Sequence, residues 1–175
     1  MSISRATWRK ASQSNKGLQY TEEKPLARCG ERVCPYVTAA HTTLAITTKG
    51  KGLYPFTEAV DNWLRNQPVL NGTLTIFVQH TSCSLVIQEN ADPDVARDLR
   101  DFFERLVPEE KRHYRHTLEG PDDMTSHIRA SLTQTTMTIP VIGGHMALGT
   151  WQGLYLFEHR RTPHRRSVVL QVMGV

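Results

Sequence analysis

The sequence IGGHMALGTWQGLYLFEHRR, residues 142–161, decides how the rest of the chain must be arranged. Its glycines favour turns, because a residue without a Cβ atom adopts backbone angles that other residues avoid. From Trp151 onward the side chains alternate between two sides, and both sides carry large apolar residues. Such a strand is expected in the middle of a sandwich or under a subunit interface. Glu158 near its end is a carboxylate in an apolar strand, so we expect it to have a partner.

The size and charge of the chain indicate one domain that binds neither a membrane nor a nucleic acid. A chain of 175 residues can build one sufficient hydrophobic core, and no apolar run reaches the length of a membrane span. The net charge of +4 is accounted for by four basic residues within residues 1–20, which contain no acid. The remainder is neutral, and its basic cluster near the C-terminus suits one small anionic ligand better than a duplex.

The N-terminal part of the chain differs from the rest. Residues 1–36 are polar and basic without periodicity, which predicts a flexible extension to a domain formed by residues 37–175. The three cysteines, Cys29, Cys34 and Cys83, have no metal-binding spacing, and no apolar signal segment precedes them. These features predict free thiols and a cytoplasmic location.

Hydrophobic periodicity predicts about six strands and three helices. The strands are expected at residues 37–48, 73–79, 84–88, 135–141, 151–160 and 167–173. The helices are expected to bury three apolar stripes: Phe56, Val60, Trp63 and Leu64; Val95, Leu99, Phe102, Phe103 and Leu106; and Met124, Ile128 and Leu132. Thr57, Asp92 or Pro93, and Asp122 are placed to begin these helices. Strands joined by turns give an α+β fold with a mostly antiparallel sheet.

Three histidines are the strongest candidates for chemistry. His80 ends a strand, His116 lies in the loop before the third helix, and His127 lies inside that helix. Their spacing matches no standard metal motif, and histidines satisfied within a fold are common. Nearby carboxylates nevertheless exceed what a structural loop needs, and Asp122, Glu119 or Glu158 could orient the imidazoles of a divalent metal site, most simply one for zinc.

Four blocks of sequence carry a resemblance to a known family. They are GKGLYPFTEAV, FVQHTSCSLVIQENADPDVARDL, YRHTLEGPDDMTSHIRASL and IPVIGGHMALGTWQGLYLFEHR, and they run in order from about residue 37 to the C-terminus. Together they closely resemble the YjbQ-like family, whose members are described as secondary thiamine-phosphate synthases. The resemblance implies a mixed, mostly antiparallel β-sandwich with outer helices, assembled as a homotrimer. It also implies metal-binding sites where subunits meet.

The resemblance assigns site residues by their match to the family's motifs. Its motif histidines match His80, His116 and His127, which would hold a divalent metal, and its motif carboxylates match Glu119 and Glu158, which would act in catalysis. We expect phosphate or another part of the substrate to be bound by residues of the HRR and GTWQ segments and the HTSC insert: Arg160, Arg161, Arg165, Arg166, Thr81 and Trp151.

Two functions follow from these residues. The first is a transferase that couples a pyrimidine methyl diphosphate to a thiazole phosphate, giving thiamine phosphate and diphosphate. The second is a trimer that binds a metal and a small anionic or phosphorylated metabolite, either without catalysis or as a hydrolase, with incidental synthase activity. Three imidazoles suit zinc, whereas diphosphates are usually held with magnesium by oxygen ligands. This difference in ligand type favours the second function.

Overall fold

The structure is a computed structural model that describes residues 36–109 and 114–175. Eight strands and three helices form a single α+β domain. In chain order they are β1 (Thr38–Thr47), β2 (Gly52–Pro55), α1 (Thr57–Leu64), β3 (Gly72–Val78), β4 (Cys83–Glu89), α2 (Pro93–Leu106), α3 (Asp123–Leu132), β5 (Thr136–Ile142), β6 (His145–Met146), β7 (Gln152–Glu158) and β8 (Arg165–Gly174). The predicted fold class is confirmed. The expected N-terminal extension lies, except for Tyr36, outside the described residues.

The strands form two sheets in which all described pairings are antiparallel. The larger sheet has the order β1, β8, β3, β5, β6, and the smaller has the order β2, β7, β4. The core lies between them and is made mainly of aliphatic side chains from the facing sides of the two sheets, together with Val60 and Leu64 of α1. The strand side chains alternate with outward residues, so the period of two in the sequence places every second residue in the core.

Strand β7 is the central strand of the smaller sheet. Leu154 and Leu156 are completely buried on its core side, and Phe157 packs edge-to-face against Phe103 of α2 with ring centroids 5.2 Å apart. Its two apolar faces are therefore covered within one chain, by the larger sheet and by a helix. Of the two positions predicted for this strand, the centre of a sandwich or a subunit interface, the structure shows the first.

The starts of α1 and α2 agree only in part with the capping residues predicted from the sequence. Asp92 caps α2, accepting a hydrogen bond from the backbone N–H of Asp94, and Pro93 is the first helical residue, as predicted. The prediction that Thr57 caps α1 is wrong. Its hydroxyl oxygen instead accepts the backbone N–H of Leu154 at 2.7 Å, which ties the helix to β7.

The apolar stripe predicted for α3 is not its buried face. Leu132 is 57% exposed, and Met124 and Ile128 are only half-buried. The helix buries Thr125, Ser126, Arg129 and Ala130 instead, together with Asp123. This orientation is set by Arg129, whose guanidinium donates to both carboxylate oxygens of Glu104 and to the carbonyl of Val107.

The outer face of the larger sheet is almost free of charge. It is formed by the outward residues of β1, β8, β3 and β5, which are Ala39, His41, Thr43, Ala45 and Thr47; Arg165, Ser167, Val169, Gln171 and Met173; Thr73, Thr75 and Phe77; and Thr136, Thr138, Pro140 and Ile142. Phe77, Met173 and Ile142 are 44%, 47% and 64% exposed. Among the helices of the described residues, none is long and apolar enough to span a membrane.

Candidate functional site

Two histidines and an aspartate converge at the start of α3. One ligand atom from each of His116, Asp123 and His127 lies within 4.8 Å of the others. Nε2 of His116 is 2.7 Å from Oδ2 of Asp123, and Nε2 of His127 is 3.6 Å from Oδ1. The aspartate side chain is 3% exposed, while the imidazoles of His116 and His127 are 48% and 33% exposed. The group is therefore anchored on its buried carboxylate and opens toward solvent.

Local sequence explains how these three residues meet. Asp123 and His127 are four residues apart on α3, a spacing that places two side chains on the same face of a helix. Gly120 has a φ angle of 110°, a conformation that disfavours other residues, and with it the chain turns back so that His116 approaches the helix start. A Cβ atom at this position would also lie 3.2 Å from the Asp122 carboxylate.

The contact between His116 and Asp123 has the features of a shared cation site. The two atoms are 2.7 Å apart, which is ion-pair distance, but the contact lacks hydrogen-bond geometry, so Oδ2 of Asp123 accepts no hydrogen bond from the described residues. A buried carboxylate oxygen without a donor is costly, and a cation bound jointly by Asp123 and the two imidazoles would satisfy it. Two imidazoles and one carboxylate are a ligand set that zinc and iron(II) use in proteins. The residues present therefore fit a divalent transition metal.

The tautomer of His127 leaves its Nε2 available for a metal. Nδ1 of His127 lies 3.0 Å from the carbonyl oxygen of Thr81. A carbonyl oxygen only accepts hydrogen bonds, so Nδ1 carries the proton and the neutral ring keeps a lone pair on Nε2, facing Asp123. Such a bond fixes the orientation of a metal-binding imidazole. The second partner of this histidine is a backbone carbonyl rather than one of the carboxylates we expected.

An open cleft adjoins the same histidine. Its volume is about 830 Å³, and it lies at the edge of the outer sheet face. Its lining is formed by Phe77, Val78, Gln79, His80, Thr81, His127, Ala130, Ser131, Thr133 and Thr135. His127 belongs to both the cleft and the group with Asp123, so a small molecule in the cleft would lie beside that group.

His80 lines this cleft but is not part of the group with Asp123. Its Nε2 atom accepts a hydrogen bond of 2.8 Å from the backbone N–H of Ser167. Burial, with a smaller effect from the Arg166 guanidinium, lowers the pKa of His80 below its usual value. The structure therefore brings two of the three predicted metal-binding histidines together and places the third in the neighbouring cleft with one nitrogen already engaged.

Arg160 holds the segment that carries the aspartate. Its Nε atom donates to Oδ2 of Asp122 at 3.1 Å, one terminal nitrogen contacts Oδ1 of Asp123, and the other donates to the carbonyl oxygen of Glu119 at 2.8 Å. The side chain of Arg160 is 11% exposed. Asp122 stands at the N-cap position as predicted, but its side chain binds Arg160 and the backbone N–H of Arg161 instead of capping the helix. Arg160 is thus a positioning residue for Asp123.

Glu158, predicted to act in catalysis, and Arg166, predicted to bind phosphate, form a buried ion pair with each other. Glu158 is completely buried and also accepts hydrogen bonds from Thr48 and from the backbone N–H groups of His159 and Arg160. Burial alone would raise the pKa of Glu158, but the hydrogen bonds from Arg166 and from the backbone of Arg160 outweigh it and hold the pKa below its usual value. The expected partner of Glu158 is therefore found, and this carboxylate holds the sheets together.

The remaining residues predicted for catalysis or substrate binding are scattered. The carboxylate of Glu119 is mostly exposed, 3.6 Å from Arg160. Arg161 pairs with Glu109, whereas Arg165 is exposed and forms no ion pair with the described residues. Thr81 joins the site through its carbonyl oxygen, and Trp151 is 63% exposed at the turn before β7. The four arginines do not form one cluster directed at the histidines.

Two further polar groups lie inside the core. His159 is 1% exposed, and its Nε2 atom is 2.9 Å from the hydroxyl oxygen of Ser84. Burial lowers the pKa of His159 to about 3, so the ring is neutral. Burial also raises the pKa of Cys83 to about 12, which makes this thiol an unreactive core residue.

Sequence reasoning missed two parts of the site. Asp123 is not among the ligands predicted from the sequence, although its spacing of four residues from His127 on a helix is a readable signal. Nothing in the sequence marked Arg160 as a partner of Asp123, because the two are 37 residues apart.

Comparisons with known proteins agree with this fold. The chain matches the family described as "UPF0047 protein YjbQ-like" over residues 41–175. A UPF0047 protein of Synechocystis is 52% identical over 131 residues, covering 75% of this chain and 89% of that protein. YjbQ of Escherichia coli is 41% identical over 133 residues, covering 75% and 96%.

Solved structures show the same architecture. A YbjQ-like protein of unknown function from Sulfolobus solfataricus superposes with a TM-score of 0.73 at 21% identity, covering 79% of this chain and 99% of that one. A conserved hypothetical protein from Thermus thermophilus has a TM-score of 0.67 at 32% identity, covering 75% and 98%. The family match over most of the chain and the shared fold lead to one conclusion: this chain belongs to the YjbQ-like UPF0047 family.

Proposed function

We propose that the protein binds one divalent transition metal, most simply zinc, through His116, Asp123 and His127, and acts on a small molecule in the adjoining cleft. The proposal is carried by the convergence of one ligand atom each from His116, Asp123 and His127 within 4.8 Å, on a buried aspartate whose Oδ2 atom lacks a hydrogen bond. Three protein ligands and an open position are typical of catalytic zinc sites. When bound, the metal would supply Lewis-acid chemistry, which a hydrolase uses.

The residues around the metal would have separate roles. Asp123 supplies the negative charge, Thr81 orients His127 through its carbonyl oxygen, and Arg160 holds Asp123 in place. Because Arg160 contacts Oδ1, it leaves Oδ2 as the oxygen available to the metal. Compared with the expected set of three histidines, the proposed set exchanges His80 for Asp123.

We further propose that the protein assembles as a homotrimer through the outer face of the larger sheet. This face carries one charged residue, Arg165, among its outward positions and exposes Phe77, Met173 and Ile142. Exposed apolar patches with few charges are typical of subunit interfaces, and closed symmetric oligomers are the commonest assemblies. The cleft adjoins this face, so a neighbouring subunit would cover it.

The thiamine-phosphate synthase activity is the alternative. It requires cationic groups or a metal to neutralise the departing diphosphate, but Arg160 and Arg166 are engaged in internal ion pairs. Arg165 is the one arginine of the four without an ion pair to the described residues. The geometry therefore supports a metal-binding protein with hydrolytic chemistry better than a diphosphate-dependent transferase.

Elemental analysis of protein purified without a histidine tag tests the metal. We expect close to one zinc atom per chain in the wild-type protein. In His127→Ala and Asp123→Asn we expect less than about one zinc atom per ten chains, because the loss of a residue that binds the metal directly abolishes most of the affinity. His145→Ala, which changes an exposed histidine elsewhere, is the matched control and should keep its metal. Wild-type protein with no transition metal after incubation with zinc would refute the proposal.

A kinetic assay tests the synthase alternative. A native synthase should couple the two phosphorylated precursors at roughly 1 per second or faster. We expect a rate many orders lower that Arg165→Ala does not change. A fast rate that depends on Arg165 would favour the transferase over the hydrolase.

A further inference from the structure

We propose that His80 is a neutral hydrogen-bond donor that binds an oxygen atom of the ligand in the cleft through its Nδ1–H group, and that it is not a metal ligand. The inference rests on the proposed function only in placing a ligand beside the metal group. It assigns a role to His80 that differs from that of the other two histidines predicted with it.

The tautomer of His80 is fixed by its contact with the backbone. A backbone N–H can only donate, and that of Ser167 points at Nε2 of His80 at 2.8 Å. Nε2 must therefore be unprotonated and use its lone pair to accept this bond. In the neutral ring the proton then lies on Nδ1, and Nε2 has no lone pair left for a metal.

The backbone that fixes this tautomer is itself held on both sides. The carbonyl oxygen of Ser167 accepts a hydrogen bond of 3.0 Å from the backbone N–H of Gln79. The backbone N–H of Ser167 donates to the side chain of His80, the residue that follows Gln79. This pair of bonds continues the ladder between β3 and β8 by one step, with an imidazole in place of a peptide carbonyl. The ring is therefore attached to the end of the sheet and cannot turn over without losing a backbone hydrogen bond.

The surroundings of His80 keep it neutral. Burial and the positive charges of Arg166 and His164 disfavour the imidazolium form, and Glu158, which favours it, is bound to Arg166. A neutral imidazole that donates from a fixed tautomer can polarise an oxygen atom without exchanging a proton at physiological pH.

The rest of the cleft indicates which ligand such a donor would bind. The described residues that line it include no aspartate, glutamate, lysine or arginine. Its polar side chains are the hydroxyls of Thr81, Ser131, Thr133 and Thr135, the amide of Gln79 and the two imidazoles, beside the apolar Phe77 and Val78. Hydroxyls and amides pair with uncharged polar groups, so this chain provides a site for an uncharged, oxygen-bearing small molecule such as a carbonyl compound.

Two substitutions separate the functions of the two ring nitrogens. The amide oxygen of His80→Gln reaches the position of Nε2 and can still accept the Ser167 N–H, but this variant loses the donor at Nδ1. The amide of His80→Asn reaches the position of Nδ1 and keeps a donor there, but it leaves the Ser167 N–H without its acceptor. We expect His80→Asn to unfold at lower urea concentration than His80→Gln, because a backbone donor loses its partner.

Imidazole ¹⁵N NMR of the histidine-labelled, zinc-loaded protein tests the tautomer, and acetamide serves as an uncharged carbonyl probe. We expect Nδ1 of His80 to be protonated at pH 7 and its proton resonance to move on addition of acetamide. Binding of acetamide should weaken at least tenfold in His80→Gln and less than threefold in His80→Asn. An Nε2–H tautomer, or equal binding by both variants, would overturn the inference.

Metal content distinguishes this inference from the proposed function. We expect both His80 variants to keep at least half of the wild-type zinc while His127→Ala loses it. Zinc lost from both His80 variants would overturn the inference and make His80 a ligand. If wild-type protein binds no zinc, the proposed function fails, but the tautomer and the response to acetamide still decide the role of His80.

Discussion

Glu158 and Arg166 form a completely enclosed ion pair that joins the two sheets of the sandwich. Glu158 ends β7 in the smaller sheet, and Arg166 points inward from β8 in the larger one, with 2.7 Å between Nε of the arginine and Oε2 of the glutamate. Their side chains are 0% and 4% exposed. Because each charge would be costly alone in the core, the pair must form or break as a unit.

Arg166→Met should therefore destabilise the protein strongly. The change leaves the carboxylate of Glu158 buried without its main partner, and we expect the free energy of unfolding to fall by about 3–5 kcal/mol. Urea denaturation measures the difference. The double variant Glu158→Leu with Arg166→Met removes both charges and should recover much of the loss. A loss of less than about 1 kcal/mol in the single variant would show that the pair does not stabilise the sandwich.

The buried His159 predicts a loss of stability in mild acid. Burial lowers its pKa from 6.5 to about 3, so the unfolded state binds a proton below pH 6.5 that the folded state does not bind. Its contribution to the free energy of unfolding should fall by about 1.4 kcal/mol for each pH unit below 6.5, until the pH reaches the folded pKa.

A glutamine at this position provides the comparison for the pH effect. His159→Gln can keep the hydrogen bond with Ser84 without a titrating ring, so its stability should fall less steeply than that of the wild type between pH 6.5 and 5. Urea denaturation at several pH values in this range checks the slopes. Parallel curves for the two proteins would contradict a buried, neutral histidine.

Arg160 and Arg161 offer a matched test of how the metal ligand is positioned. Arg160→Ala removes the contacts with Asp122, Asp123 and the Glu119 carbonyl, and we expect a loss of zinc affinity of about 10–100-fold. Arg161→Ala removes an exposed side chain that pairs with Glu109 and should change the affinity less than threefold. Competition with a chromophoric chelator measures both constants. Equal affinities in the two variants would contradict the role of Arg160.

A charge on the outer sheet face should disrupt the proposed trimer. Thr138 lies outward on β5 of this face, and Thr138→Arg should convert an assembly of three times 19.9 kDa into monomers. Asp98→Arg, on the exposed side of α2, adds the same side chain away from this face and should leave the assembly unchanged. Sedimentation velocity measures the masses. A monomeric wild-type protein, or a Thr138→Arg trimer, would refute the interface.

The sequence alone determined the fold and the family because both are recorded in local patterns. Alternation of apolar residues located the long strands, Asp92 and Pro93 marked the start of α2, and four sequence blocks identified the family. The same patterns identified Glu158 as a carboxylate that needs a partner, because its apolar neighbours predicted its burial.

The tertiary structure decided which polar residues meet, because their partners come from distant parts of the chain. From the sequence, Arg166 could bind either a ligand or Glu158. The packing of the two sheets brings Arg166 against Glu158, and the two form an ion pair. His80 resembles the other motif histidines in sequence, yet the N–H of Ser167, 87 residues away, takes the nitrogen that a metal would need. The apolar stripe of α3 predicted the wrong buried face because the ion pair between Arg129 and Glu104 sets its rotation. Periodicity reports which side of an element is apolar, whereas the pairing of charges depends on distances that only the assembled fold defines.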